Sequence, residues 1–518
     1  MKNAVGRDIP DALLENGREV YRGKDSMDGK PMQKVGPKTR RYEKPQESKL
    51  VSSLAAALRQ CGAKDGMTFS FHHHLRDGDY VASMTMTAAV EELGLKDLTV
   101  AATSLGNAHD AIADYIEQGK IIGIQTSGIR GRVGEVVSQG KLKTPAIIRS
   151  HGGRPRAIEA GEVHIDIAVI AAPTSDCMGN CRGVGGKSDC GSMGYAMTDA
   201  KFADHVIVVT DCLVDFPNMP ASIEAIDVDA VVVVDSIGNP GKIASAALRM
   251  TQNPRELMMA EQAAKVIAAT PYFKDGFSFQ TGAGGPSLAV NLFLERYMDE
   301  RNIKMGWAIG GICGPMVELL KKGKVGKVID VQDFDLDSVR SIHHTPGHVE
   351  MSASQYANPA NKGAFVNKLD FVVLAALEID TDFNVNVLTG SDGVLRGAPG
   401  GHPDTAAGSK CCVIVTPLTR GRMATVCEHV VTVTTPGDCV DVLVTDYGVA
   451  VNPRREDLIE CLDKAGIAHV SIESLKEKAY SLVGRPDDLQ WEDQIVAILE
   501  ARDGTILDVV RKIKPVEL

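Results

Sequence analysis

Lys49–His74, KLVSSLAAALRQCGAKDGMTFSFHHH, and Arg255–Gly282, RELMMAEQAAKVIAATPYFKDGFSFQTG, share one pattern. Each begins with apolar residues at helical spacing, continues through an Asp-Gly turn, and ends in a Phe-Ser-Phe run typical of a strand. Elsewhere, short β-branched runs such as HIDIAVIAAP and DHVIVVTD alternate with helical windows. Continuous apolar strands of this kind are buried on both faces of a parallel or mixed sheet, so the fold class is predicted to be α/β.

Further motifs recur in the same order about 204 to 208 residues apart. The matched pairs are SLGNAHDAIADYIEQGKI with AIGGICGPMVELLKKGKV, VHIDIAVIAAPTSDCMGN with NKLDFVVLAALEIDTDFN, and DHVIVVTD with KCCVIVTP. An internal duplication into two similar open α/β domains is the interpretation that we favour over two unrelated α/β domains. It predicts an extended arm over residues 1–45 and domains over 46–245 and 246–518, with the boundary between Lys242 and Pro254.

Composition excludes several classes of protein. A formal net charge of −11 argues against general nucleic-acid binding, because no net positive field offsets phosphate repulsion. No apolar run approaches the roughly 20 residues of a membrane span, and the N-terminal residues lack the apolar segment of a secretory signal. Eleven scattered cysteines, with Cys411 next to Cys412, are typical of a reduced, cytoplasmic protein.

No metal site is expected. Cys177, Cys181 and Cys190 cluster, but their spacing matches no common zinc pattern, and small residues packed in a glycine-rich turn explain them as well. The histidines of HHTPGH (residues 343–348) flank a Pro-Gly turn, which favours a polar loop over a metal site.

Two glycine-rich loops are candidates for ligand binding. In open α/β sheets, ligands lie beyond the carboxyl ends of the strands. QTGAGGPSLAV places Gly282, Gly284 and Gly285 directly after the second Phe-Ser-Phe run, and GSDGVLRGAPGGHPDTAAGSK (residues 390–410) lies between two predicted buried strands. The corresponding first-domain loop, SDCMGNCRGVGGKSDCGS, is also rich in glycine, so the loops of the two domains are predicted to form one cleft.

At this point the motifs carry a resemblance to a known family. QTGAGGPSLAV, LAALEID, GAPGGHPDT and VLVTDYGVAVN recur in order in acyl-CoA transferases and hydrolases. The whole chain, including SFHHHLRDGDYV, TSGIRGRVGEVV and RSHGGRPRAIEAGEVHIDIAVIAAPTSDCMGNCRG, resembles the citrate lyase alpha subunits. The fold that this resemblance implies is a pair of CoA-transferase-like open α/β domains.

The resemblance implies citrate CoA-transferase activity: citrate displaces acetate from an acetyl thioester in citrate fermentation. The thioester is carried on a phosphoribosyl-dephospho-CoA prosthetic group of the gamma subunit, an acyl carrier protein, for which coenzyme A can substitute. The beta subunit then cleaves the citryl thioester. A cytoplasmic oligomer with no tightly bound cofactor of its own, and with neither nucleic acid nor membrane as partner, is the corresponding expectation.

One departure from the wider transferase pattern bears on mechanism. That class forms a glutamyl thioester, but GWAIGGICGPMVELL has Gly310 or Gly311 at the corresponding place, and Glu318 is interpreted as a surface carboxylate. The implied route is a mixed anhydride without an acyl-enzyme. Its oxyanions require fixed donors, for which the candidates are the backbone N–H groups of Gly310, Gly311, Gly400 and Gly401. The candidates for thioester binding are Gly282, Gly284, Gly285 and Asp404.

A citrate ion with about three negative charges requires several donors, preferably cations. The candidates are His72, His74, Arg130, Arg132, Arg396 and His402. Because neighbouring residues in a strand alternate, His72 and His74 are predicted to share the ligand-facing side while His73 points away.

Three alternatives remain. The first is a thioester hydrolase, which would use water in place of citrate. The second is a non-catalytic subunit that docks the carrier protein. The third and weakest is a nicotinamide dehydrogenase, because Glu295 and Asp299, the acidic residues after the glycine loop, fall within a helical pattern.

Overall fold

The computed structural model of the chain describes residues 1–28, 30–39, 48–244, 251–282 and 284–514. The helices are α1 Leu54–Gln60, α2 Val81–Thr87, α3 Asp110–Glu117, α4 Gly131–Ser138, α5 Gly153–Glu159, α6 Ala196–Phe202, α7 Pro254–Ala269, α8 Gly285–Arg301, α9 Gly314–Lys321, α10 Leu336–His344, α11 Ala353–Ala357, α12 His402–Gly408, α13 Glu456–Lys464 and α14 Ile472–Val483. The strands are β1 Leu50–Val51, β2 Thr68–Phe71, β3 Leu98–Ala102, β4 Ile121–Thr126, β5 Ala146–Ile148, β6 Ile167–Ala172, β7 Thr174–Ser175, β8 Cys181–Arg182, β9 His205–Thr210, β10 Ala230–Val233, β11 Ser278–Thr281, β12 Trp307–Ile312, β13 Val328–Asp333, β14 His348–Glu350, β15 Phe371–Leu374, β16 Glu378–Asp380, β17 Val385–Asn386, β18 Cys411–Val415, β19 Thr419–Arg420, β20 Met423–Ala424, β21 Val426–Cys427, β22 Val442–Thr445, β23 Gly448–Val451, β24 Trp491–Glu500 and β25 Ile506–Ile513.

Two large sheets organise the described chain, and the predicted α/β class is confirmed. The first sheet has ten strands in the order β1-β10-β9-β6-β2-β3-β4-β5-β24-β25, and the second has eight in the order β14-β13-β12-β11-β15-β18-β22-β23. The central strands run parallel, and β22–β23 and β24–β25 are antiparallel pairs. Strands such as β9 and β18 are almost wholly apolar because helices or loops cover both faces of the sheet.

The two sheets share an order of strands. Reading β2, β3, β4 and β5 of the first sheet against β11, β12, β13 and β14 of the second gives the same sequence of neighbours. On the other side, β6, β9 and β10 correspond in position to β15, β18 and β22. The motif pairs seen in the sequence therefore occupy like positions in their sheets.

The C-terminal hairpin joins the first sheet, although the division predicted from the sequence places it within 246–518. Strand β24 pairs in parallel with β5, through Ala146 opposite Ala497 and Ile148 opposite Leu499. The end of the chain thus returns to the sheet that its first half builds. The predicted boundary between Lys242 and Pro254 includes residues 245–250, which lie outside the described residues.

The first part of the N-terminal segment, residues 1–21, packs on this hairpin, whereas the described residues 30–39 are mostly exposed. Ile9 and Val20 form a small core with Ile498 and Ile506, and the Tyr21 N–H donates to the Ile506 carbonyl at 3.0 Å. The segment has few apolar residues, so its composition does not predict that it packs on the protein. The surface on which it packs forms only when β24 and β25 have paired.

Residues that follow the strands of both sheets meet between the sheets. The chain after β2, β3 and β4 faces the chain after β11, β12 and β15, and the Gln332 amide donates to the His73 carbonyl at 2.8 Å across this junction. Over the described residues, none of the helices has the length and apolar character needed to cross a membrane.

Candidate active site between the sheets

A cavity of about 250 Å³ lies at this junction, and both halves of the chain contribute to its wall. The first half contributes residues that follow β2, β3 and β4, namely His73, Arg76, Asp77, Ser104, Gly106, His109 and Arg130. It also contributes His151 and Tyr195 from later loops. From the second half come Gln280, Thr281, Gly282, Gly311, Gln332, Phe334, Tyr356, Leu374, Ala375, Ala398, Pro399, Gly400, Gly401 and His402. The position agrees with the rule that ligands bind beyond the carboxyl ends of parallel strands.

The three adjacent histidines alternate as predicted, but the side that faces the cavity is the opposite one. His72 and His74 stack with their ring centroids 5.9 Å apart, and the His72 Nε2 lies 3.1 Å from the buried carboxylate of Asp199. His73 lines the cavity instead. The reason is that Asp199 pairs with Arg154 in the core beside β2, and this buried carboxylate holds His72 on the core side.

His73 belongs to an aromatic cluster on the cavity wall. Its ring centroid lies 5.0 Å from that of Tyr195 and 5.6 Å from that of His151, and its Nδ1 lies 2.6 Å from the Thr103 hydroxyl. Burial, and the nearby charges of His151 and Arg76, hold the pKa of His73 well below its usual range. Burial and Arg154 lower the pKa of His151 to about 3. Both imidazoles are therefore neutral near pH 7.

Two guanidinium groups supply the positive charge of the cavity. Arg76 lies over the Phe334 ring, with Cζ 5.0 Å from the ring centroid, and Arg130 lies on the cavity wall nearby. Burial and the charge of Arg130 lower the pKa of Arg76 to about 10. The Arg130 Nε is buried and has no hydrogen-bond partner among the described residues. Asp77 is the single carboxylate among the described residues of the wall, so the site attracts an anion.

The glycines let the backbone come close to the cavity and to its supporting side chains. Gly311 lies at a bulge between β12 and β13, and a Cβ there would lie 2.1 Å from the Phe334 ring. A Cβ on Gly401 would lie 2.4 Å from the Tyr356 hydroxyl oxygen. Gly310 has φ +100°, and a Cβ there would lie 2.6 Å from the Gln280 amide carbon. The absence of a side chain at Gly310 therefore leaves room for the Gln280 side chain, and Gly310 does not itself line the cavity.

His402 lines the cavity, and its ring is held in place on both sides. Its Nε2 donates to the Ala375 carbonyl at 2.9 Å, so its Nδ1 accepts from the Thr435 hydroxyl at 2.7 Å. Burial lowers the pKa of His402 to about 4. The ring is therefore a neutral part of the wall, and the expectation that it serves as a cation for citrate does not fit this geometry.

Besides His72, His74 and Gly310, five further predicted site residues lie away from the cavity wall. Arg132 is on the outer surface and pairs with Asp114 and Glu117. Arg396 is exposed and pairs with Asp392 at 2.6 Å. Both arginines are bracketed by glycines in the sequence, a pattern that does not distinguish a surface turn from a binding loop.

The other three lie within or beneath the loops. Gly284 is the N-cap of α8 and Gly285 is its first residue; the preceding position 283 lies outside the described residues. Asp404 is fully buried, and its carboxylate accepts from the Ser150 hydroxyl and the Gly152 N–H, each at 2.8 Å. Burial raises its pKa even though Arg502 lies 3.3 Å away. Asp404 thus ties the two halves together and does not face a thioester.

Several wall residues were not predicted. Gln280 donates through Nε2 to the Tyr356 hydroxyl at 2.8 Å, while its Oε1 is buried without a partner among the described residues. Tyr195 and His151 come from loops of the first half. The signal for His151 was its position in RSHGGRPR, next to two glycines; in the structure it lies three residues after the end of β5 at Ile148.

Comparison with known proteins places the chain in a family. A family model described as "Citrate lyase, alpha subunit" matches residues 47–513. The chain is 50% identical over 468 residues to the citrate lyase alpha chain of Haemophilus influenzae, covering 90% of this chain and 93% of that protein. It is also 50% identical over 476 residues to that of Escherichia coli K12, covering 92% and 93%. The chain belongs to the citrate lyase alpha subunit family.

Solved structures support the same assignment. A citrate lyase alpha subunit from Streptococcus mutans, crystallised in complex with citrate, is 49% identical and superposes with a TM-score of 0.95 over 99% of this chain and 100% of that one. A malonate decarboxylase subunit from a Pseudomonas hetero-tetramer, in complex with malonate, has a TM-score of 0.65 at 18% identity, covering 84% of this chain and 86% of that one. At that identity the likeness shows that this citrate lyase alpha subunit family shares its fold with other enzymes.

Proposed function

We propose that the chain converts an acetyl thioester and citrate into a citryl thioester and free acetate. In this exchange the carrier thiol passes from the acetyl group to the citryl group. The observation that carries this proposal is the pair of guanidinium groups, Arg76 and Arg130, in a cavity whose opposite wall is glycine backbone. Arginine binds carboxylates through paired, charge-assisted hydrogen bonds, and a tricarboxylate needs more than one such group.

The reaction begins when a citrate carboxylate oxygen attacks the acetyl carbonyl. The C–S bond breaks, the thiolate leaves, and citryl-acetyl anhydride remains. The thiolate then attacks the citryl carbonyl, and the bond to the bridging oxygen breaks, so that acetate leaves with one oxygen that came from citrate. Each attack forms an oxyanion, which needs a fixed hydrogen-bond donor. The Gly282 and Gly400 N–H groups already donate to the Val373 and Ser127 carbonyls, so the Gly401 N–H is the glycine-wall donor that we assign to this role.

The neutral aromatic cluster fits the same chemistry. His73, His151 and Tyr195 are buried and uncharged near pH 7, so they exclude water from the anhydride and offer hydrogen bonds without competing as bases. The absence of a glutamate at Gly310 and Gly311 agrees with direct attack by citrate, and Glu318 is exposed and paired with Lys321 at 2.9 Å.

The test uses the purified chain with acetyl-CoA in place of the carrier protein. Citryl-CoA and acetate are expected only when citrate is present. With citrate labelled by ¹⁸O in its carboxylates, acetate from a single turnover should carry one ¹⁸O atom. Acetate release that does not depend on citrate would indicate a hydrolase, and a folded chain that gives no exchange in either direction would contradict the proposal.

The partners and setting follow from the proposed reaction. We infer that the chain acts in a cytoplasmic citrate lyase complex, with a beta subunit that cleaves the citryl thioester. A gamma subunit would carry the thiol on a phosphoribosyl-dephospho-CoA group. In this arrangement the carrier group enters as a substrate and no cofactor is held permanently in the cavity.

We also infer that the chain arose by internal duplication of a CoA-transferase-like unit. The common strand order of the two sheets and the matched sequence motifs support this inference. A duplication explains why loops from equivalent ends of two sheets meet at one cavity.

A further inference from the structure

A second polar cluster lies behind the cavity wall, where the first half of the chain meets strand β13. It consists of Asp330, Asp333 and His348, all fully buried, each of which offers one potential ligand atom. These three atoms lie within 4.8 Å of one another. Strand pairing creates the cluster, because β14 lies beside β13 and brings His348 to the two aspartates.

Each of the three side chains makes a hydrogen bond through one of its polar atoms to a group outside the cluster, and its other polar atom faces the cluster. Asp330 accepts through Oδ1 from the Gln332 N–H at 2.6 Å, and His348 Nδ1 lies 3.0 Å from the Ser341 hydroxyl. Asp333 accepts through Oδ2 from the Ser192 N–H at 2.8 Å. The Asp333 Oδ1 is buried, and no N–H or hydroxyl group of the described residues donates to it; the Asp330 carboxyl is its close neighbour.

The charge of the cluster lacks a cationic partner. In the described part of the chain, neither aspartate forms an ion pair with a lysine or arginine, and the nearby acidic groups Glu350 and Asp335 add negative charge. Burial raises the pKa of Asp330 to about 8 and that of Asp333 well above its usual range. Isolated carboxylates are too costly to bury, so a proton or a cation has to neutralise them.

We propose that Asp330, Asp333 and His348 bind one divalent first-row metal ion, such as Zn²⁺ or Mn²⁺. Two carboxylates and an imidazole are a ligand set that these ions accept. The His348 Nε2 and the Asp330 Oδ2 are 3.2 Å apart. Two ligands at about 2.1 Å from one ion with a tetrahedral angle between them lie about 3.4 Å apart, which fits this spacing.

The outer hydrogen bonds are those that metal ligands usually have. A ligating histidine is normally fixed by a hydrogen bond at its other ring nitrogen, as His348 is by Ser341. The ion would fasten the Ser192 loop of the first half to β13. Gln332, between the two aspartates, reaches the cavity and donates to the His73 carbonyl, so the ion would also fix part of the cavity wall.

A second His-Asp-Asp group in the described chain provides a matched control. His164, Asp166 and Asp204 also have ligand atoms within 4.8 Å, but they lie at the surface. There the Lys38 ammonium pairs with Asp204 at 2.9 Å, so no further cation is needed.

The test measures metal content of the full chain, purified without chelators or citrate, by inductively coupled plasma mass spectrometry. We expect about one equivalent of a first-row metal in the wild type and in His164→Gln, and a loss of most of it in Asp333→Asn. Equal metal content in all three proteins, or none in any, would overturn the proposal.

A thermal measurement covers the case in which Asp333→Asn fails to fold. Wild-type protein stripped with a chelator should show a melting temperature that rises with added Zn²⁺ or Mn²⁺, because an ion that binds only the folded state stabilises it by mass action. His164→Gln should respond in the same way. A melting temperature that depends on neither ion would mean that the aspartates share a proton instead. This inference is independent of the acyl exchange, and neither measurement depends on activity.

Discussion

Replacing Arg130 with Gln tests the assignment of the cavity as a citrate site. The substitution removes the positive charge but keeps a polar side chain, and the Arg130 N–H still donates to the Leu105 carbonyl. A hydrogen bond to a charged group contributes about 1.5–3 kcal/mol, which corresponds to about a 10- to 150-fold increase in the KM for citrate. Arg76 has a pKa of about 10, so it stays charged near pH 8 in both proteins and does not confuse the comparison.

Arg132→Gln is the matched control, two residues along the chain and in the first turn of α4, the helix for which Arg130 is the N-cap. Arg132 pairs with Asp114 and Glu117 on the surface, where ion pairs contribute about 0–1 kcal/mol, so the KM for citrate should stay within about twofold of the wild type. The assay is acetate release from acetyl-CoA at varied citrate concentration. If the two variants have the same KM for citrate while both remain folded, the guanidinium pair does not bind citrate and the reasoning fails.

Three further predictions concern the core and the glycine wall. Asp199→Asn should lower the free energy of unfolding in urea by about 3–5 kcal/mol, because Arg154 then remains buried without its carboxylate; a loss below about 1 kcal/mol would contradict this. Burial lowers the pKa of His74 to about 3. Between about pH 6.5 and pH 3 this histidine is therefore protonated in the unfolded chain but neutral in the folded chain. Over that range the free energy of unfolding falls by up to about 1.4 kcal/mol for each pH unit of acidification. Urea unfolding at about pH 7 and pH 5 should show a smaller loss for His74→Gln than for the wild type. Gly401→Ala should reduce kcat/KM about tenfold or more in the acetate-release assay, because its Cβ would displace Tyr356; an unchanged rate would show that the wall tolerates the methyl group.

The sheets could be predicted because their signal is local. Runs such as those of β9 and β18 are almost wholly apolar, a pattern typical of strands buried on both faces of a sheet. The C-terminal hairpin was missed because its pairing with β5 joins residues about 350 positions apart. Nothing in the sequence of β5 or β24 identifies the other strand as its partner, so the pairing is seen only in the folded structure.

The cavity lies at the predicted loops of the second half, but the first-domain glycine-rich loop (residues 175–192) contributes none of its described wall residues, and several wall side chains were not predicted. The rule that ligands lie beyond parallel strands located the loops, and alternation correctly put His72 and His74 on one side. Which side faces the cavity depends on Asp199 and Arg154, which lie far from His72 in the sequence. Arg76 was overlooked because RDGD looks like a solvated turn; its φ of +51° and its contact with Phe334 appear only in the fold.

The two halves contribute different chemistry to the one cavity. Both guanidinium groups, Arg76 and Arg130, come from the first half, whereas Gly282, Gly311, Gly400 and Gly401 come from the second. In the proposed reaction, attraction of citrate and stabilisation of the oxyanions would therefore fall to different sheets. We infer that the contacts that set the distance between the sheets, such as Gln332 to His73 and Asp404 to Gly152, also set the distance between bound citrate and the oxyanion donors. Under this inference, positioning across the junction depends on residues that touch neither substrate, such as the fully buried Asp404.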